Sequence, residues 1–191
     1  MNTQITQNRP KLITKNTNDL LIFLTKAFLG SLLIMVSAQI AIPAWPVPMT
    51  LQTTAIMAIG LMASPGIAVS SVVMYILEGA CGLPVFHAFK GGISHLFNTT
   101  GGYIFGFIPM IYLISSLKDK SHNFLYRFGV CLLGNIALYT AGISYLSLFV
   151  GLNSAVQLGF LPFLVKMIFS ISFAILSVNL IHKLKIQRKF I

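Results

Sequence analysis

The chain has 191 residues, of which 56% are hydrophobic and only 8% charged, with 13 lysines and arginines against 3 acidic residues. Soluble domains carry about a quarter charged residues and under half apolar ones, so this composition, with a mean hydropathy of +0.86, excludes an ordinary soluble enzyme, a disordered tail and a secreted disulfide scaffold. The net charge of +10 does not describe a nucleic-acid protein either, because too little polar surface remains to display a basic face.

Residues 1–18 are polar and basic, with Arg9, Lys11 and Lys15, and read as a loose tail at a membrane surface. A spanning helix needs about 20 mostly apolar residues. The long continuous apolar runs that follow predict helices rather than the alternating strands of a membrane barrel. The first span covers about 20–42. A basic stretch before it and small residues at Ser37–Ala41 give it a signal-peptide rival, but the run is too long for one and further spans follow. Pro43, Pro46 and Pro48 cannot continue a helix, and Trp45 between them suits the membrane interface.

The second span, about 49–63, opens on Thr50, Gln52, Thr53 and Thr54. Ser64-Pro65-Gly66 is a turn, and the third span, about 67–80, carries Glu78 near its end. Residues 81–101 hold four glycines and little periodicity, which predicts an outer lid loop with re-entrant character. The fourth span is about 102–117 and residues 118–123 form a charged turn. The fifth span, about 124–150, leads into an uncharged loop ending at Gly159. The sixth covers about 160–182, and a basic tail, 184–191, closes the chain. The predicted fold is an all-α membrane protein whose six transmembrane helices form one domain, 19–183.

With the N-terminus in the cytoplasm, Arg9, Lys11, Lys15, Lys26, Lys118, Lys120, Arg127, Lys183, Lys185, Arg188 and Lys189 lie at or near cytoplasmic membrane ends, leaving only Lys90 and Lys166 for the outer half. That bias predicts a multi-pass protein of the plasma membrane with both termini cytoplasmic. Spans two to four are short, which leaves non-helical backbone at membrane depth. Such backbone is tolerated where protein covers it or it lines a cavity, so a cavity near the outer face is expected.

Glu78 and Lys166 are the informative charges. An ionised group inside the bilayer costs about 2.5–3.5 kcal/mol on insertion scales, so each either faces a ligand site or partner, or snorkels to the interface. Cys81 and Cys131 read as two buried thiols, without metal or redox spacing. His87 and His95, eight residues apart with no nearby carboxylate or cysteine, do not form a metal motif. Ala27 with Ser31 and Gly102 with Gly106 are small-residue pairs that let helices approach closely. No GxxxxGK[ST] segment is present, so active transport would need another subunit or an ion gradient.

Four blocks carry a resemblance. They are AQIAIPAWPVPMTLQTTAIMAIG (38–60), YILEGACGLPVF (75–86), TGGYIFGF (100–107) and GNIALYTAGISYL (134–146). In this order they resemble the BioY family, the biotin-binding S components of energy-coupling factor (ECF) transporters. The likeness extends over about residues 20–170. It implies a six-helix membrane protein that captures biotin in an outer pocket and passes it inward when coupled to a transmembrane T subunit and two ATP-binding cassette subunits. It implies no catalytic residues, resident cofactor or metal. The chain departs from the family at one place. Members typically carry an acid shortly after the Pro-Phe opening helix six and a lysine three residues later, whereas here Pro162-Phe163 leads straight to Lys166.

Biotin has an apolar fused ring, a ureido group with two N–H donors and one carbonyl, and a carboxylate tail. Through the resemblance, Lys166 is assigned to the carboxylate and Asn135 or Gln52 to the ureido edge. Tyr103 and Phe86 would pack on the rings, with Trp45 as a further wall and Glu78 as a charge from helix three. An S component for a different vitamin shares the design. From other classes, an intramembrane enzyme using Glu78 with His87 or His95, and an assembly subunit without ligand, are the competing expectations; the enzyme lacks a second carboxylate or a Ser–His grouping.

Overall fold

The computed structural model describes residues 17–121 and 123–187. The basic tail residues Arg9, Lys11, Lys15, Arg188 and Lys189 lie outside the described residues. Helix α1 (Thr17–Gln39) ends three residues before the expected boundary. The reason is that Ala41–Ile42 (β1) pairs antiparallel with Met49–Thr50 (β2), in the register Ala41↔Thr50 and Ile42↔Met49. The three prolines between them exclude a helix, and this small ladder instead returns the chain directly into α2 (Gln52–Met62). The expected second span therefore loses its first residues to β2.

Helix α3 (Pro65–Ala80) begins on a proline directly after extended Ser64, where the missing N–H costs nothing. A 3-10 turn (His87–Phe89) and the single helical turn α4 (Ile93–Leu96) then lie within the glycine-rich segment. Helix α5 (Gly101–Leu117) follows. Helix α6 (Phe124–Val150) is capped by the Asn123 side chain, which accepts from Leu125 N, and stops at Gly151, φ +78°. The uncharged loop expected up to Gly159 is instead helix α7 (Leu152–Gly159). Its Ala155 and Gly159 are buried, four residues apart on one face. Helix α8 (Phe163–Gln187) runs past the expected end of the sixth span, since hydropathy bounds an apolar stretch and not the helix containing it.

Six helices pack as a closed ring in the order α1, α3, α5, α6, α8, α2, and α2 also reaches α5 across the middle. Ile56, Met57, Met110, Ile111, Ile114, Leu138, Ile171 and Ile175 fill the interior. The α5–α6 pair is the most extensive contact. A Cβ added at Gly102 would lie 2.8 Å from Ala141 O, so glycine there sets how closely the two backbones approach. Among the described helices, α1, α6, α8 and the Gly101–Lys120 stretch are long and apolar enough to cross a membrane, while α2 and α3 are shorter. Leu29, Leu33 and Val36 of α1, with Ile168, Phe169 and Phe173 of α8, are exposed, as side chains facing hydrocarbon would be.

Buried polar groups tie the ring together. Lys118 Nζ donates to Ala63 O at the end of α2, and Arg127 Nη1 donates to Asn179 Oδ1 at 2.7 Å, joining α6 to α8. The expectation of two buried thiols holds for Cys131 alone; Cys81 is exposed at the end of α3.

Candidate ligand-binding site

At one end of the ring, a cavity of about 420 Å³ opens between α2, α3, α5, α6 and α8, beneath residues 43–48 and 86–100. Its floor is built on Gln52, the first residue of α2. Gln52 Nε2 donates to Tyr75 Oη at 2.6 Å, and Gln52 Oε1 accepts from Thr50 Oγ1 at 2.9 Å. The primary amide keeps one N–H and one oxygen lone pair for a ligand. Tyr75, wholly buried, accepts from Gln52 and so retains its own proton to donate.

Aromatic rings make the walls. Phe86 meets Tyr75 edge-on at 5.4 Å and stacks on His95 at 5.0 Å. Tyr103 and Phe163 flank Tyr139 at 6.3 and 6.1 Å. Tyr103 is held from behind, its hydroxyl donating to Gly159 O at 2.9 Å, and a Cβ at Gly142 would lie 2.7 Å from its Cζ. Gly142→Ala is therefore expected to destabilise the protein by about 1–3 kcal/mol through overpacking, read as a lower thermal midpoint of the detergent-purified chain.

The cavity's cations are Lys166 and Lys90, with no acidic residue among those lining it. Lys166 Nζ donates to Thr50 O and sits 5.8 Å from the Phe163 ring centroid. In the loop above, burial, then the charges of Lys90 and His87, lower the pKa of His95 from its ordinary value, which favours a neutral imidazole at pH 7. Thr100 Oγ1 is buried with no hydrogen-bond partner among the described residues, although Thr100 lines the cavity.

Of the residues singled out in the sequence, the cavity brings together Lys166, Gln52, Tyr103, Phe86 and Trp45. Trp45, at 79% exposure, forms the rim rather than an inner wall. Asn135 and Glu78 are not among the lining residues. Asn135 is buried deeper, donating to Cys131 O at 2.8 Å and Met57 Sδ at 3.4 Å. Glu78 accepts from Ser31 Oγ at 2.9 Å, between α3 and α1. Asn135 Nδ2 and Glu78 Oε1 already have partners within the helix packing, where an unpaired amide or carboxylate would otherwise be costly. Tyr75, Tyr139 and Thr100 are among the lining residues that sequence reasoning missed; a tyrosine inside an apolar helix gives no signal apart from packing until a distant partner such as Gln52 is placed beside it.

A family model described as BioY family matches residues 6–187. The chain is 40% identical over 130 residues to a probable biotin transporter BioY of Pyrococcus horikoshii, covering 68% of this chain and 77% of that relative. It is 35% identical over 166 residues to the biotin transporter BioY of Thermotoga maritima, covering 86% and 98%. Its fold is similar to a solved structure described as the S-component for biotin from an ECF-type ABC transporter. That match has a TM-score of 0.76 at 24% identity and covers 87% of this chain and 93% of the other.

Proposed function

The chain belongs to the BioY family, and from that premise we propose that it is the S component of an ECF transporter and takes up biotin. It is a multi-pass membrane protein. Six helices, α1, α2, α3, α5, α6 and α8, make its membrane passes, the short α2 and α3 crossing together with the non-helical segments that adjoin them, and both termini lie in the cytoplasm. Support for that orientation comes from helix parity. The links 40–51, 81–100 and 151–162 fall at the cavity end, while Lys118, Lys120, Arg127 and Lys183 belong to the other. The cavity then opens outward.

Biotin enters between Trp45 and the 86–100 segment. Its carboxylate pairs with Lys166, the inner of the two lining lysines, exchanging its hydration for a charge-assisted hydrogen bond. The ureido group lies against Gln52, whose free lone pair accepts one N–H while Tyr75 donates to the carbonyl. A neutral amide suits a cavity without an acidic residue among those lining it. Thr100 Oγ1 supplies a further polar contact, and Phe86, Tyr103 and Tyr139 enclose the fused ring. Lacking a nucleotide-binding P-loop, the chain draws energy from a T subunit and two ATP-binding cassette subunits.

The observation that carries this assignment is the joint presence, in one aromatic-walled cavity, of Lys166 and the Gln52–Tyr75 pair. Calorimetric titration of the detergent-purified chain tests it. Biotin binds one to one, and biotin methyl ester, lacking the anionic tail, binds about tenfold or more weakly. Equal affinity for acid and ester would remove the carboxylate–lysine pairing.

A further inference from the structure

The geometry points to Gln39 as a positioning residue that clamps the 85–90 turn in a strained form, so that His87 and Lys90 face the cavity. Ala88 (φ 59°) and Phe89 (φ 54°) are consecutive non-glycine residues in left-handed conformation, a region their Cβ atoms disfavour. Such backbone persists only where surrounding contacts over-determine it.

Those contacts converge on the last turn of α1. Gln39 Nε2 donates to Phe86 O at 3.0 Å and Val85 O at 3.4 Å, while its Oε1 accepts from Phe89 N at 3.1 Å. Both ends of one amide therefore meet backbone groups of matching polarity across the turn. His87 Nδ1 lies 3.3 Å from Ala38 O, next to Gln39 in the chain, and Phe86 N donates to Lys90 O at 2.9 Å, closing the turn at its base. Ala88, Phe89 and Lys90 are exposed, so side-chain packing anchors the turn at Val85 and Phe86 and does little to hold its strained tip. Phe86 at its start and Lys90 at its end line the cavity. The end of α1 and the roof of the ligand site are thus joined chiefly through the Gln39 amide, with the His87–Ala38 contact beside it.

Hydrogen–deuterium exchange of the detergent-purified full chain without ligand tests the clamp. Gln39→Met is expected to speed exchange in residues 85–90 by about tenfold, the equivalent of one or two lost hydrogen bonds, with α5 and α6 unchanged. Ala88→Gly alone is expected to slow it about threefold, because glycine takes the left-handed conformation without steric cost, and to restore most of the protection in the Gln39→Met background. Unchanged exchange in Gln39→Met, or faster exchange in Ala88→Gly, would overturn the inference. Its link to transport rests on the biotin assignment, which a second measurement separates: labelled biotin should leave Gln39→Met several-fold faster. If the exchange pattern holds while the natural chain retains no biotin, the clamp stands and the ligand assignment falls.

Discussion

Lys166→Ala is expected to weaken biotin binding by about ten- to a hundredfold, the range of a hydrogen bond to a charged group. The residue has two possible duties, and they separate experimentally. Its ammonium already donates to Thr50 O, linking α8 to β2, so its loss could act by loosening that junction. Were this the whole effect, biotin and its methyl ester would lose affinity together. If Lys166 anchors the carboxylate, the variant binds the ester as the natural chain does and loses only its preference for the acid. A double comparison of two proteins and two ligands isolates the pairing term.

Gln52→Leu has the second-largest expected effect, with the opposite pattern. The substitution keeps the volume but removes the donor to Tyr75 and the acceptor for Thr50. Two buried hydroxyls are left short of a partner, at about 1–3 kcal/mol each. The ureido edge loses its amide at the same time. Affinity for biotin and for the ester should fall alike, by roughly tenfold or more, with a lower thermal midpoint. A loss confined to the acid would show that Gln52 serves the tail instead.

The two variants also mark what was legible in the sequence. A lysine inside an apolar run has to be accounted for, and Lys166 does reach the cavity. Gln52 stood out as an amide at the start of the second span that could match a ureido edge. Tyr75 did not, since only the closed fold brings it to Gln52, 23 positions away. Asn135 and Glu78 show the converse. Glu78 read as a ligand group because a charge in a membrane helix is costly, and Asn135 because its amide could match a ureido edge. A helix, however, can satisfy them from within, by the carbonyl of Cys131 four residues back or by a serine on the neighbouring helix. Periodicity identifies a buried face but not the element that covers it. Helix α7 escaped notice for a related reason: eight residues make too few turns to establish a period, and it is held by α6.

The central claim is that this cavity selects biotin. Binding of labelled biotin to the detergent-purified chain, in competition with excess unlabelled vitamins, tests it most directly. Stoichiometric retention that unlabelled biotin displaces, and that riboflavin and thiamine leave untouched, is the predicted result. No retained biotin, or equal displacement by an unrelated vitamin, would contradict it.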